Sequence, residues 1–401
     1  MSLIMILLPA LAALVATTWL QPHILRIAKE KNIVDNPNAR KLQRYPVPIM
    51  GGIAVAFGML VGVMVFNLFG DFNNVLAVFV CMTIMLLVGL VDDIVGLSPR
   101  IRFVVEILLV IFLIYSTGFQ INNFYGLWGV SVLPSWLSVP LTIFACVGII
   151  NAINLIDGID GYSSGYCIMA SLYFGYAFWK FGDLGMVVLA GLVVGALLPF
   201  FFCNVFGKHS KMFIGDAGTL SMGVLMSAFV INMLTAKEGV NVLPDNLGLI
   251  PLTLAIMSVP VFDTIRVMGF RILRGTSPFY PDKTHLHHAF IDLGFSHIGT
   301  TITILCVNTL VVVCWYLSYR LGVHVDIQLY VVIVLGVLAT FGLYGFIQYQ
   351  INNDTKALKV LKALASITHV ERKGVWAVIQ GWLDRNSIPK EEQADGEEKA
   401  A

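Results

Sequence analysis

The sequence has few charged residues. Asp, Glu, Lys and Arg make up 12% of its 401 residues, whereas hydrophobic residues make up 58% and the formal net charge is only +1. A soluble domain has about 25% charged residues and about 45–50% apolar residues. The composition therefore excludes an ordinary soluble protein and places the chain in a lipid bilayer. The net charge alone identifies no partner, because in a membrane protein the asymmetry of charge between loops matters more than the sum. We expect no nucleic-acid partner.

Paired cysteines and tandem repeats are also missing. All six cysteines lie inside apolar runs and none forms a CxxC motif, so they are typical of small buried apolar side chains rather than of disulfides. No repeat of 20–50 residues is visible in the sequence, which excludes a solenoid or a propeller.

Long apolar runs dominate the chain instead. A membrane-spanning helix needs about 20 mostly apolar residues, and the sequence predicts an all-α polytopic membrane protein with eleven such helices. They are 3–20, 49–69, 74–91, 102–118, 132–152, 163–180, 184–203, 212–234, 247–269, 299–318 and 326–347. The predicted transmembrane domain is 1–350, and 351–401 is a cytosolic tail with a basic amphipathic stretch at 356–364 and a disordered end.

Basic residues give the orientation. All but Lys180, Lys237 and Arg320 of the 25 basic residues fall in one alternate set of connections or at the adjoining helix ends. By the positive-inside rule that set is cytosolic, so the N-terminus lies outside and the C-terminus inside. Seven acidic residues share the cytosolic face: Asp92, Asp93, Asp157, Asp160, Asp216, Asp263 and Asp282.

Two polar motifs end predicted helices on that face. The adjacent acids Asp92 and Asp93 repel each other, which indicates a bound cation or a shared proton, although a solvated loop pair is the alternative. In the segment 151–161, Asn151, Asn154 and Asp157 are spaced by three and so share one helix face. Asp160 follows between glycines that permit a tight turn.

Two further motifs suit nucleotide chemistry. Asp216 lies between glycines at the start of a helix, where it could hold Mg²⁺ together with phosphate oxygens. Phe213 offers a ring for a nucleobase, or else packs at the interface. The loop 271–297 holds Arg271, His285, His287 and His288, which are groups that grip a diphosphate.

Two features carry competing interpretations. A zinc site is the alternative for the histidines, but the loop has no cysteine and the chain has no H-E-x-x-H pattern. A weaker basic element, which includes Lys41, precedes the Gly51-Gly52 pair and could simply reflect the positive-inside bias.

These motifs together carry a family resemblance. VDDIVGL, NAINLIDGIDG, FIGDAGT and SPFYPDKTHLHH occur in the order found in the polyprenyl-phosphate N-acetylhexosamine-1-phosphate transferases, and the chain resembles that family from about Asp35 to His297. The HLHH form is similar to the WecA-like branch, which makes undecaprenyl-diphosphate N-acetylglucosamine. An enzyme of the MraY type, which uses UDP-MurNAc-pentapeptide, is the alternative.

The resemblance implies roles for individual residues. It implies a Mg²⁺ site at Asp216, shared with Asp93, with Mn²⁺ as a substitute metal. The implied catalytic residues are Asp92 and Asp93, which would bind or deprotonate the lipid phosphate, and Asp157 and Asp160, which would lie near the nucleotide. Phe213 would stack on uracil. The implied substrate-binding residues are Asn151, Asn154, Phe213, Arg102, Lys41, Arg271, His285, His287 and His288.

The implied partners follow from the same resemblance. They are a UDP-N-acetylhexosamine, undecaprenyl phosphate, the bilayer of a bacterial inner membrane and a second copy in a homodimer. The rival class is a secondary transporter, since intramembrane acids also mark proton-coupled carriers. Carriers place their acids near the bilayer midplane, whereas the acids here crowd one face.

Overall fold

Helices form almost all of the regular structure in this computed structural model, which describes residues 3–37, 43, 45–68, 73–236, 246–280, 282–369, 374–385 and 387. Lys41 and all of the predicted disordered end, 387–401, except Ser387 lie outside the described residues. The helices are α1 Ile4–Glu30, α2 Gly51–Phe66, α3 Asn73–Val95, α4 Pro99–Thr117, α5 Ser135–Leu155, α6 Tyr162–Phe181, α7 Leu184–Phe206, α8 Gly215–Leu234, α9 Leu249–Ile256, α10 Ser258–Leu273, α11 Leu286–Asp292, α12 His297–Arg320, α13 Val325–Val337, α14 Leu343–Asn353, α15 Lys356–Ile367 and α16 Val375–Asp384.

Short irregular elements complete the fold. The strands β1 Val34–Asp35 and β2 Val47–Pro48 pair antiparallel, with Val34 opposite Pro48. A π-helical turn at Leu338–Gly342 joins α13 to α14 without a break in the span Val325–Asn353. The predicted amphipathic stretch forms α15, whose Leu358 and Ala365 are buried while its lysines are exposed.

The membrane-spanning character is confirmed. Seven of the described helical segments are long and apolar enough to cross a bilayer, and α9 with α10 would make an eighth if that bent pair is one span. α2 is apolar but has only 16 residues. Every one of the eleven predicted segments falls on a helix or a helix pair, while the number of crossings stays a prediction.

Helix α8 lies at the centre of the fold. Every residue from Ala217 to Leu234 is buried, and the helix packs most closely against α3 and α5. Small residues make this approach possible, as is common between helices in membranes. A Cβ on Gly89 of α3 would lie within 2.5 Å of the Ala217 backbone, so only glycine fits there. The contact brings the end of α3 against the start of α8.

Local sequence fixes the start of α4. Ser98 precedes the helix, its Oγ accepts a hydrogen bond from the Ile101 N–H at 3.4 Å, and Pro99 occupies the first helical position. A hydroxyl cap followed by proline is a common helix start, because proline has no N–H to leave unpaired. The start at Pro99 places Arg102 and Glu106 one turn apart, facing α3 and α5.

A sharp break separates α9 from α10. The two helices meet at Met257 with a bend of 72°. Asn308 of α12 pairs the backbone groups that the break exposes: its Oδ1 accepts from the Val259 N–H at 3.0 Å and its Nδ2 donates to the Ile256 carbonyl at 3.0 Å. A broken helix inside a membrane protein needs such a partner, because no water is available there.

We expect Asn308→Ala to destabilise the protein. The Val259 N–H would be left unpaired in the interior, at a cost of about 1–3 kcal/mol. The midpoint of thermal unfolding in detergent should fall by several degrees. Cys306→Ala on the exposed face of the same helix is the control, and an equal midpoint in the two variants would contradict this role for Asn308.

Candidate active site

A cavity of about 480 Å³ opens where α3, α5 and α7 end and α8 begins. Six carboxylates line it. Lys211, His288 and His297 are the basic residues on its walls, and Phe213 and Phe200 supply rings. The lining carboxylates are Asp35, Asp92, Asp93, Asp157, Asp160 and Asp216.

Asp93 is tied to the start of α8. Its Oδ1 accepts from the Asp216 N–H at 2.8 Å and its Oδ2 accepts from the Ala217 N–H at 3.0 Å. These N–H groups have no partner within their own helix, and the helix dipole favours a negative charge at this end. Asp93 therefore stabilises α8 and fixes the position of Asp216.

Asp92 belongs to a different network. Its Oδ1 accepts from the Leu97 N–H at 2.7 Å and its Oδ2 accepts from Arg102 at 3.2 Å. Arg102 also lies 3.6 Å from Glu106, a fully buried carboxylate that accepts from Asn151 Nδ2 at 2.5 Å. Asn151 thus supports Glu106 behind the cavity, and Arg102 links Glu106 to Asp92.

Asp216 is held from a third direction. Asn154 at the end of α5 donates from Nδ2 to Asp216 Oδ1 at 2.6 Å and to Thr219 Oγ1 at 2.8 Å. The two motifs at 151–161 and 211–219 therefore meet directly, as their polar residues predict. Thr219 supplies a hydroxyl to the same network.

The turn between α5 and α6 presents two acids. Asp157 accepts a short hydrogen bond from the Ser163 hydroxyl. Asp160 accepts from Lys211 Nζ at 2.6 Å and lies 2.8 Å from His297 Nδ1. Burial opposes ionisation of Asp160, but the His297 hydrogen bond and the Lys211 ammonium hold the pKa of Asp160 below its usual value. Asp160 is therefore a carboxylate at neutral pH.

The histidine loop rests on a buried acid. Asp263 of α10 binds His285 Nδ1 at 2.9 Å, Arg266 Nη2 at 2.6 Å and the Leu286 N–H at 3.2 Å. Arg266 also lies over the Tyr344 ring, 3.9 Å from its centroid. The start of α11 is thereby fixed to α10 and α14, which sets the direction of the next two histidines.

His287 and His288 are neutral at physiological pH. Burial and the neighbouring His288 hold the pKa of His287 well below its usual value, and burial lowers the pKa of His288 to about 4. His288 lines the cavity, whereas His287 packs on Gly158, where a Cβ would overlap the imidazole. The His288 ring can offer a hydrogen bond to the cavity without adding charge.

Arg271 shapes the loop before the histidines. It makes two hydrogen bonds to Asp282, at 2.8 and 3.1 Å, and one to the Pro278 carbonyl at 2.7 Å. Burial opposes ionisation of Asp282, but the Arg271 hydrogen bonds hold its pKa well below the usual range. Arg271 is itself buried, so its guanidinium faces the loop rather than the cavity.

The structure brings most of the predicted residues together. The residues on the cavity wall are Asp92, Asp93, Asn154, Asp157, Asp160, Phe213, Asp216 and His288. The predicted residues that stand behind the wall are Asn151, Arg102, Arg271, His285 and His287. The catalytic, substrate-binding and metal roles assigned to all of them, and to Lys41, stay predictions.

Several residues were missed by reasoning from sequence. Lys211 and His297 carried a signal, since one opens the glycine-flanked acid motif and the other ends the histidine loop. Asp35 lies in an unremarkable basic loop, yet it lines the cavity and accepts from Gln43 at 2.6 Å. Glu106, within an apolar helix, gave no hint that it would bind Asn151.

The acids suit a hard divalent cation. Asp216 and Asp93 lie side by side, and among the described residues no group of three or more His, Cys, Asp or Glu side chains is arranged to hold a metal. Mg²⁺ takes one or two carboxylates and completes its shell with water and phosphate oxygens, so this donor set fits it. A zinc site, which needs three or four protein ligands, does not fit these residues.

The fold and the cavity together define an integral membrane protein with a carboxylate-rich pocket at the ends of its spanning helices. Comparisons narrow the class. A family model described as glycosyl transferase family 4 matches residues 75–234. That range includes the first three motifs, and the histidine loop lies beyond it.

Three curated relatives illustrate the likeness. A protein of Bacillus subtilis (strain 168), described as a probable undecaprenyl-phosphate N-acetylglucosaminyl 1-phosphate transferase, is 30% identical over 300 residues, which cover 74% of this chain and 80% of the relative. The undecaprenyl-phosphate alpha-N-acetylglucosaminyl 1-phosphate transferase of Yersinia pestis is 30% identical over 328 residues, covering 80% and 85%. The Escherichia coli (strain K12) enzyme of that name is 26% identical over 277 residues, covering 68% and 72%.

The chain therefore belongs to glycosyl transferase family 4, in the group of the undecaprenyl-phosphate N-acetylglucosaminyl 1-phosphate transferases. This membership confirms the family resemblance that the motifs carry.

We expect His287 to make the folded state sensitive to acid. Its pKa is depressed in the folded protein, so on acidification the unfolded chain takes up a proton near pH 6.5 that the folded chain refuses. Stability is therefore full above about pH 6.5 and falls below it. His287→Gln should flatten the decline of the thermal midpoint between pH 7 and pH 5.

The matched control is His324→Gln, since His324 is exposed. That variant should keep the wild-type slope, and an unchanged slope in His287→Gln would refute the assignment.

Proposed function

We propose that the protein transfers N-acetylglucosamine 1-phosphate from UDP-N-acetylglucosamine to undecaprenyl phosphate, releases UMP and so starts a cell-envelope polysaccharide. The observation that carries the proposal is the meeting of Asp92, Asp157 and Asp216 in one cavity, although they are far apart in the sequence. The names of the relatives supply the two substrates.

The proposal includes an orientation in the membrane. Eleven crossings with the N-terminus outside place the cavity, the basic connections and the tail 351–401 at the cytosolic face of a bacterial inner membrane. A soluble nucleotide sugar then reaches a lipid headgroup at the cavity mouth. The chain would act as a homodimer, as the family resemblance suggests.

The reaction is a displacement at phosphorus. An oxygen of the undecaprenyl phosphate attacks the β-phosphorus of the UDP-sugar, a new P–O bond forms, and the bond to the UMP oxygen breaks. Both reactants are anions, so their repulsion is the main obstacle. Lys211 and the imidazoles of His288 and His297 line the cavity, where they can donate to phosphate oxygens.

The metal requirement is part of the proposal. Asp216, with Asp93 beside it, would hold Mg²⁺ or Mn²⁺, which would neutralise charge on the diphosphate. Asn154 and the N–H groups at the start of α8 orient these two acids before any substrate binds. Such fixed positions lower the cost of arranging charges during the reaction.

The remaining residues would bind the substrates and move the proton. Asp92 or Asp93 would take the residual proton of the lipid phosphate, and the Phe213 ring on the cavity wall would stack on uracil. The histidine loop, with Arg271 behind it, would bind the diphosphate or the sugar. We favour one displacement over a two-step route through an aspartyl-phosphate.

Two rival functions make different predictions. An enzyme of the MraY type would use UDP-MurNAc-pentapeptide instead, and a secondary transporter would release no UMP. The crowding of acids at the helix ends, rather than along their middles, disfavours transport.

We expect purified protein to release UMP from UDP-N-acetylglucosamine when undecaprenyl phosphate and Mg²⁺ are both present, and EDTA to stop the reaction. Asp216→Asn should lower kcat at least about 100-fold, as loss of a key electrostatic group does. Asp326→Asn, in the first turn of α13 and outside the cavity lining, should stay near wild type. Absence of UMP with every UDP-N-acetylhexosamine tested would reject the proposal, and UMP from UDP-MurNAc-pentapeptide alone would favour the rival enzyme.

The pH dependence of activity should distinguish the roles of Asp92 and Asp93 when each is replaced by asparagine. The variant that removes the base should recover activity as the pH rises, because the lipid phosphate then loses its proton to water. The variant that removes only a positioning group should show a uniform loss. We expect Asp93→Asn also to lower the thermal midpoint, because an amide has one acceptor oxygen for the two N–H groups of α8. Full activity of both variants at neutral pH would contradict the role of the pair.

A further inference from the structure

Helix α16 is fastened to the loop that follows α7. Asp384, at the end of α16, is only 4% exposed. Its carboxylate accepts from three successive backbone N–H groups, those of Lys208 at 3.1 Å, His209 at 3.0 Å and Ser210 at 2.8 Å, and from the Ser210 hydroxyl at 2.7 Å. Four hydrogen bonds to one carboxylate form a fixed anchor rather than a chance surface contact.

A second contact holds the other end of the helix. Trp376 stacks on Phe206, with ring centroids 5.0 Å apart and the planes inclined by 19°. Phe206 is the last residue of α7, so the two contacts lay α16 across the end of that spanning helix.

The anchored loop leads straight into the cavity. Lys211 follows Ser210, reaches Asp160 at 2.6 Å and lies over the Phe213 ring, 5.8 Å from its centroid. Asn204 holds the intervening Met212 carbonyl at 2.9 Å. The position of the loop at 208–210 therefore sets where the Lys211 ammonium and the Phe213 ring stand.

The outer side of α16 is apolar and exposed. Val375, Val378 and Trp382 are 73%, 72% and 63% exposed and share one helix face by their spacing of three and four residues. The neighbouring α15 exposes a similar row at Val360 and Ile367. Among the described residues these rows have no protein cover.

The position of these rows favours a bilayer as their cover. α15 begins three residues after the span Val325–Asn353, and α16 stacks on the last residue of the span Leu184–Phe206, so each of the two helices is attached to the end of a spanning helix. Lys356, Lys359 and Lys362 on α15 are exposed, which suits anionic headgroups. Amphipathic helices of this type lie in the headgroup layer.

We propose that α16 binds the membrane surface through Val375, Val378 and Trp382, and that Asp384 transmits this placement to the loop carrying Lys211 and Phe213. Asp384 is then a positioning residue for the nucleotide side of the cavity. The catalytic consequence rests on the proposed function, whereas the lipid contact and the loop anchor do not.

The lipid contact can be tested by the quenching of tryptophan fluorescence with brominated lipids. In nanodiscs of phosphatidylethanolamine and phosphatidylglycerol with acyl chains brominated near the headgroup, the fluorescence of Trp382 should be strongly quenched. The fluorescence of Trp382 is obtained by subtracting the signal of the Trp382→Phe variant from that of the wild type. Trp315, which is 5% exposed inside the helix bundle, gives the control through Trp315→Phe. Quenching of Trp382 no stronger than that of Trp315 would overturn the membrane contact.

The anchor is tested by hydrogen exchange and by kinetics. In Asp384→Ala, the amides of 208–210 should exchange at least about tenfold faster, and KM for UDP-N-acetylglucosamine should rise about tenfold, the equivalent of one lost charge-assisted hydrogen bond. The value of kcat and the KM for undecaprenyl phosphate should change less than about twofold. Asp384→Asn keeps one acceptor oxygen, so its exchange rates and its KM should lie between those of wild type and Asp384→Ala. Asp354→Ala in the same tail should match wild type.

The outcomes separate the two proposals. Unchanged exchange at 208–210 in Asp384→Ala overturns the anchor whether or not the enzyme is active. A fall in kcat with an unchanged KM for the nucleotide sugar overturns the positioning role. Absence of transferase activity in wild type would reject the proposed function while the exchange and quenching results still stand.

Discussion

The start of α8 is the point on which the site depends. Helix α8 is buried from Ala217 to Leu234, and the N–H groups of Asp216 and Ala217 at its start have no partner within the helix, so Asp93 of α3 supplies their acceptors. That pairing demands close contact between α3 and α8, which the small residues at Gly89 and Ala217 permit. The same contact puts Asp216 beside Asp92 and Asn154, so a requirement of folding also assembles the acids.

Charge is balanced in layers around the cavity. Arg102 offsets Asp92 and Glu106 on one side, and Lys211 with His297 offsets Asp160 on the other. Asp216 receives an amide from Asn154 rather than a cation. At the centre of the cavity, Asp216 therefore forms no ion pair with a side chain of the described residues, whereas Lys211 and His297 at the cavity edge can donate hydrogen bonds to anions. A pocket with this gradient suits a cation at the centre and phosphates around it.

Sequence patterns predicted the helices well, because apolar runs of the right length have few other structures open to them. The acids at helix ends also met as expected, since Asp92, Asp157 and Asp216 each follow or open a predicted span. The direction of side chains behind the cavity was not predictable. Asn151 and Asn154 share a helix face, yet one binds Glu106 and the other Asp216. That difference depends on which neighbouring helix packs against each turn of α5. The spacing of residues along α5 does not determine this packing.

The number of residues between the bend at Met257 and Asp263 determines which side of α10 carries the Asp263 carboxylate, and therefore whether it can reach the histidine loop. Asp263 lies six residues beyond Met257 and must point at His285 and Arg266 at the same time. Each residue turns an α-helix by about 100°, so one residue gained or lost between the bend and Asp263 would swing that carboxylate away from both partners. The length of this short segment is consequently under much tighter constraint than its apolar composition, which many sequences could satisfy.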